Sequence, residues 1–119
     1  GIILHAPPDA FLPLVPALRK AAGSGVALSL SATGPVDLPF APVSTAPKST
    51  RWPGEPFLLV VDGRNAMLAT REGDRVTGHW GTAPTLVAAT TLAIDLTENM
   101  GDLGSALREK NNLSRSRAL

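Results

Sequence analysis

The first third of the chain alternates between apolar runs and a helical pattern, which predicts a β-α-β unit. Residues 2–5 (IILH) form a short apolar run typical of a buried strand, and residues 25–32 (GVALSLSA) alternate Val and Leu with small residues. Between them, residues 13–23 place Leu, Val and Ala at helical spacing and end on a glycine. We expect the two strands to be parallel and their crossover to be right-handed.

The start of this helix is ambiguous because two prolines lie near it. Asp9 is a plausible N-cap residue. Proline fits only the first turn of a helix without distortion. The regular helix therefore either starts near Pro13 or begins earlier and bends at Pro13 and Pro16.

The middle of the chain predicts a short strand followed by three consecutive antiparallel strands. Residues 33–50 contain four prolines and leave room for one short strand, at 41–45. Residues 57–80 contain three strand-like runs separated by two turns, Asp62–Asn65 and Glu72–Asp74. The first of these runs, PFLLVVD, is apolar throughout, which is typical of a central strand.

A second helix is predicted after the last strand. Thr82 can cap it and Pro84 suits its first turn. Its end is expected at Asn99 or Gly101. One face of this helix should carry Leu86, Val87, Thr90, Ala93, Ile94 and Thr97.

The element order β-α-β-(β)-β-β-β-α predicts an α/β domain built on a mixed sheet in two or three layers. A chain of 119 residues fits one domain. We place that domain at residues 1–101. Residues 102–119 carry four basic and two acidic side chains and are expected to form a solvated basic tail, partly ordered at most.

Composition removes several classes of function. The net charge of +1 gives the whole chain no strong field for nucleic acid or acidic lipid. There is no cysteine, which excludes disulfides and thiolate chemistry. No apolar run approaches the 18 residues of a membrane span, so we expect no membrane association and a cytoplasmic location.

Reactive side chains are sparse, and we expect no metal and no cofactor. His5 and His79 are the two histidines. A Ser29–His79–Asp62 triad can be assembled on paper, but no GxSxG turn supports it. The G-x-G at residues 23–25 follows a helix, whereas a dinucleotide fingerprint must follow a strand.

The two tryptophans are better candidates for a binding role. Trp52 stands beside Arg51 in a proline-bounded loop, where an indole can stack on a sugar or an apolar ligand. Trp80 ends a strand just before a helix N-terminus, where free N–H groups favour anions. The alternative is that both indoles fill the core or a subunit interface.

The segment EPFLLVVDG, residues 55–63, carries a resemblance to one half of a phospholipase D-type fold. Catalytic members of that family have a His, any residue, a Lys, four residues and then an Asp followed by Gly. In that alignment Asp62 matches the Asp, whereas Glu55 stands for the nucleophilic His and Phe57 for the phosphate-binding Lys. The resemblance therefore implies the scaffold without its catalytic pair, and so no enzyme activity.

The series PFLLVVDGRNAML followed by GHWGTAPTLVAATTLAIDL is similar to the regulatory domain of TrmB-type transcriptional regulators. That resemblance, over roughly residues 1–100, implies a homodimeric domain that senses a small molecule, a sugar or other metabolite. DNA would be bound only through a winged helix-turn-helix preceding the domain. The chain opens in strand-like sequence without Met, and we expect it to be an excised domain.

These considerations give one hypothesis, two alternatives and a set of candidate residues. The hypothesis is a non-catalytic effector-sensing or dimerisation domain of a prokaryotic transcriptional regulator. The alternatives are a degenerate phosphodiesterase half acting with a partner, and a scaffold domain with no ligand. The candidate ligand-binding residues are Arg51, Trp52, Glu55, Asp62, His79 and Trp80.

Overall fold

The computed structural model describes residues 1–49 and 51–98 and shows a mixed α/β fold. The predicted helix end at Asn99 or Gly101 and the predicted tail at 102–119 lie outside the described residues. Six strands form one sheet, and two helices pack on it. In chain order the elements are β1 (Ile2–Ala6), α1 (Phe11–Gly23), β2 (Leu28–Ala32), β3 (Val43–Thr45), β4 (Glu55–Val61), β5 (Asn65–Glu72), β6 (Arg75–Gly81) and α2 (residues 84–98).

The strand order across the sheet is β3-β2-β1-β4-β5-β6. β1, β2 and β3 run parallel, whereas β4, β5 and β6 join them as an antiparallel meander. The predicted β-α-β unit, the short third strand and the three antiparallel strands are all confirmed. β4 lies between β1 and β5, as its apolar sequence predicted.

The two helices pack on opposite faces of the sheet, so the fold has three layers. Alternate residues of a strand point to opposite faces. On one face, Phe11 and Leu18 of α1 join Leu4 of β1 and Leu30 of β2 in one core. On the other face, Ile94 of α2 lies in a second core with three buried strand residues, Leu58, Val60 and Ala66.

The apolar face predicted for the second helix is also confirmed. Pro84 is its first helical residue. Thr90 and Ile94 are buried, and the other four predicted residues are half-buried. The Thr90 hydroxyl donates to the Leu86 carbonyl (2.8 Å), which satisfies a polar group that would be costly to bury alone.

The prediction of Asp9 as a helix cap is wrong. Asp9 lies in a 3-10 turn, Pro8–Ala10, and α1 begins after it at Phe11, with no side-chain cap on its first turn. The helix thus begins before both prolines and carries Pro16 inside it. The Asp9 carboxylate instead meets a distant arginine, which is a stronger partner than a backbone N–H.

The second strand starts later than its sequence predicts. β2 begins at Leu28 rather than Gly25. The Val26 amide donates to the Ala21 carbonyl (3.0 Å), and Gly25 has a φ of 81°. Residues 24–26 therefore close the end of α1, and the chain enters the sheet only after that turn.

Candidate functional site

A cluster of three charged side chains and one phenyl ring lies where β1 ends and β4 begins. Glu55 and Phe57 come from β4, and Arg71 of β5 lies directly opposite Glu55 in the sheet register. Asp9 enters from the turn after β1. All three strand residues point to the α1 side, because Phe57 packs against the core on that side and strand side chains alternate.

Arg71 holds the cluster together through its whole guanidinium. Its two terminal nitrogens donate to the two oxygens of Asp9, at 2.8 and 2.9 Å. Its Nε and Nη2 donate to Oε1 of Glu55, at 3.2 and 2.9 Å. The guanidinium carbon stands 5.3 Å from the centroid of the Phe57 ring. This fork is a geometry that Arg supports and Lys does not.

The ion pairs within the cluster shift the pKa values of Asp9 and Arg71. The hydrogen bonds from Arg71 lower the pKa of the Asp9 carboxyl below its ordinary value of 3.8. The same bonds, from Asp9 first and then Glu55, raise the pKa of Arg71. Two carboxylates share one guanidinium, so the cluster is anionic overall at neutral pH. Such a site repels phosphate groups.

Replacing Arg71 with Met should lower the melting temperature at pH 7, because two neighbouring carboxylates lose their shared cation. Because the pKa of Asp9 is lowered on folding, its ion pair with Arg71 stabilises the folded state above pH 3.8. This stabilisation is lost as the pH falls further. The gap in melting temperature between the native chain and Arg71→Met should therefore narrow below pH 3.8. Arg75→Met, at an exposed position, is the matched control; a gap independent of pH contradicts the prediction.

On the α2 side, a cleft of about 310 Å³ brings two of the candidate residues together. Trp52 lines the cleft, is half-buried and packs against the core under α2, and its Nε1 is buried with no partner among the described residues. His79 of β6 also lines the cleft and is exposed. Thr70 and Thr77 also line the cleft, and the Thr70 hydroxyl donates to the Pro53 carbonyl, which fixes the Trp52 loop against β5.

The other candidates lie apart from this cleft. Glu55 belongs to the charged cluster on the α1 side. Asp62 follows β4 at its far end and accepts a hydrogen bond from the Gly1 nitrogen (2.8 Å). Trp80 points to the α1 side and is 81% exposed. Arg51 is exposed in the loop before β4. The six residues therefore do not form a single site.

Sequence reasoning missed a buried polar pair on the face of the sheet that carries α2. His5 and Ser31 are fully buried on neighbouring parallel strands, and His5 Nδ1 lies 2.7 Å from the Ser31 hydroxyl. His5 Nε2 is buried without a partner among residues 1–49 and 51–98. Burial lowers the pKa of His5, so the ring is neutral in the folded protein at neutral pH.

Comparisons with known proteins add no relative. Neither a family model, nor a curated protein, nor a solved structure matches this chain. The described residues contain no group of three or more His, Asp or Glu side chains placed to hold a metal ion. None of the helices in the described part of the chain has the length and apolar character needed to cross a membrane.

Proposed function

We propose that this chain is a non-catalytic effector-sensing and dimerisation domain of a prokaryotic transcriptional regulator of the TrmB type, built on one half of a phospholipase D-like fold. The observation that carries the proposal is the Asp9–Glu55–Arg71 cluster with Phe57. Glu55 and Phe57 of that cluster are the residues that the resemblance aligns with the catalytic His and Lys.

The chemistry of that cluster supports a domain without phosphodiesterase activity. A covalent phosphoenzyme needs a nucleophile, and phosphate oxygens need a free cation. Oε1 of Glu55 accepts two hydrogen bonds from Arg71, which weakens it as a nucleophile, and Phe57 carries no charge. The nearby cation, Arg71, is engaged by two carboxylates, so its charge is already compensated. The cluster therefore links the turn after β1 to β4 and β5 and has a structural role.

The cleft on the α2 side is the better candidate for an effector. It is a shallow, open depression of about 310 Å³, which can hold one face of a compact metabolite. An indole wall, threonine hydroxyls and an imidazole are the groups that bind a polyhydroxylated ring. A monosaccharide is therefore the ligand class that we propose.

Regulation would follow from differential binding. A ligand shifts a conformational or dimer equilibrium only when it binds one state more tightly than the other. In the proposed regulator the two states are two arrangements of the dimer. DNA contact belongs to a winged helix-turn-helix elsewhere in the protein, because the net charge of +1 gives these 119 residues little attraction for DNA.

A thermal-shift series tests the effector proposal. Neutral monosaccharides should raise the melting temperature of the native chain, since a ligand that binds only the folded state stabilises it by about 2.7 kcal/mol at 100 times its Kd. Inorganic phosphate should give no such rise. His79→Ala should abolish the sugar effect, whereas Arg51→Ala, outside the cleft, should keep it. A native chain indifferent to every sugar supports a scaffold domain instead.

A further inference from the structure

The two edges of the sheet differ in how well they are protected. β3 is one edge; it has three residues and is flanked by Pro42 and Pro47. Short strands and prolines prevent an edge from pairing with another chain. β6 is the other edge, with seven residues and, after Arg75, neither a proline nor a formal charge. Among residues 1–49 and 51–98, β6 pairs with β5 alone, so its outer side offers an open row of backbone donors and acceptors.

The face of the sheet next to this edge also carries exposed apolar side chains. Val76 is 57% exposed and Trp80 is 81% exposed, and both point to the α1 side. Met67 lies opposite Trp80 on β5. Among the described residues, the core beneath α1 reaches Phe57 and Leu59 of β4 but includes none of β5 or β6. An open edge beside exposed apolar side chains marks an interaction surface.

We propose that a second copy of this chain pairs with β6 in antiparallel fashion about a two-fold axis midway between the two facing copies of Gly78, joining the two sheets into one. The proposal rests on the dimer of the proposed function and assigns its interface. A two-fold axis makes a strand pair with itself in antiparallel orientation and uses the same surface on both copies. An axis perpendicular to the sheet keeps both α1 helices on one side.

The side chains of β6 select this register. Opposite residues must share a face, so one residue must face its own copy across the axis, and an axis through a residue below means an axis midway between its two copies. With Gly78 on the axis, Val76 lies opposite the partner's Trp80, and Arg75 lies opposite the partner's Gly81. The axis residue has no side chain to obstruct the contact. Each Trp80 then covers an apolar neighbour, and no two charges oppose each other.

The neighbouring registers are poorer. An axis through Thr77 places Val76 opposite Gly78 and Arg75 opposite His79, which leaves Trp80 without a partner. An axis through His79 brings two imidazoles together and places Trp80 opposite Gly78. Of these three registers, the Gly78 register alone sets large apolar side chains against each other on the α1 side.

This register also places the proposed effector clefts of the two copies next to each other. Thr77 and His79 line the cleft of their own copy, on the α2 side. In the proposed pair, His79 lies opposite the partner's Thr77. By symmetry, Thr77 lies opposite the partner's His79. Each cleft therefore gains a hydroxyl and an imidazole from the other copy. A sugar in the cleft contacts both copies and stabilises the pair, which couples effector binding to dimerisation.

Cysteine cross-linking tests the register, because the native chain has no cysteine. Opposite residues of antiparallel strands have Cα atoms about 4.5–5.5 Å apart, which a disulfide spans. Val76→Cys is mixed with size-tagged Trp80→Cys, and Thr77→Cys with tagged His79→Cys, under diamide as oxidant. At least one mixture should yield a covalent heterodimer. Each of these cysteine variants by itself, and Ser44→Cys on β3, should give no covalent dimer. Absence of cross-links in both mixtures overturns the proposed interface.

Charge variants at the exposed positions give a second readout in sedimentation equilibrium. Val76→Lys and Trp80→Glu should each raise the dimer Kd by about tenfold or more, whereas their mixture should recover association through a Lys–Glu pair. A native dimer that is insensitive to both variants refutes the β6 interface but leaves the proposed dimeric domain standing. A native chain that stays monomeric at every micromolar concentration, with and without sugar, refutes both.

Discussion

Replacing Phe11 with Ala should lower the free energy of unfolding by about 3–5 kcal/mol, the range for deleting a buried phenyl ring. Phe11 is 1% exposed and is among the largest fully buried side chains of the described residues. It is the first residue of α1 and packs with Leu4, Ala6, Leu18, Leu30 and Ala32. Its loss leaves a cavity between helix and sheet at the centre of one core.

The neighbouring Leu12 provides the control for that experiment. Leu12 lies on the same helical turn but is 79% exposed, so Leu12→Ala should change the unfolding free energy by less than about 0.5 kcal/mol. Urea denaturation of both variants gives the comparison. Similar losses at the two positions contradict the placement of α1 on the sheet, because the two side chains then share one environment.

Replacing Gly54 with Ala should cost more than about 2 kcal/mol, because two penalties combine. Gly54 has a φ of 102°, a conformation that residues with a Cβ rarely adopt. An added Cβ would also lie 2.5 Å from the Arg71 carbonyl oxygen and 2.8 Å from Cγ of Glu72. The close approach of this glycine to β5 lets β4 begin beside it, with Glu55 opposite Arg71.

Gly73→Ala separates the two penalties. Gly73, in the turn before β6, has a φ of 59° and open space around the position of a Cβ. Its replacement carries only the left-handed backbone cost of about 1–2 kcal/mol. Denaturation in urea should therefore show a larger loss for Gly54→Ala than for Gly73→Ala. Equal losses contradict the close contact between the Gly54 loop and β5.

Much of the sheet could be predicted from the sequence, because strands and turns are indicated by residues close together in the chain. Apolar runs bounded by Gly, Pro and Asp gave the strands, and the helical spacing from Leu86 to Thr97 gave the buried face of α2. The register of β4 and β5 was not predicted. A turn that occupies all of Asp62–Asn65 would pair Val61 with Ala66, whereas β5 begins one residue earlier, at Asn65, and this places Glu55 opposite Arg71.

The rest of the site depends on contacts that no local pattern encodes. Asp9 meets Arg71 across 62 positions, only because β1 and β4 are neighbours in the sheet. A short polar side chain ahead of an apolar helix reads as a cap, so the pattern predicted the wrong partner for Asp9. Trp52 and His79 likewise share a cleft through the fold of the loop against β5 and β6.

We propose that Glu55 and Phe57 stand where a phosphodiesterase of the phospholipase D type would have its His and Lys, and that the domain therefore has no such activity. The most direct test is the hydrolysis of bis(p-nitrophenyl) phosphate by the purified chain, followed at 405 nm beside Glu55→Ala and Arg71→Met. We expect no release of p-nitrophenol above the buffer blank from any of the three proteins. Turnover by the native chain that Glu55→Ala abolishes would contradict the account, because it would make this carboxylate part of a working active site.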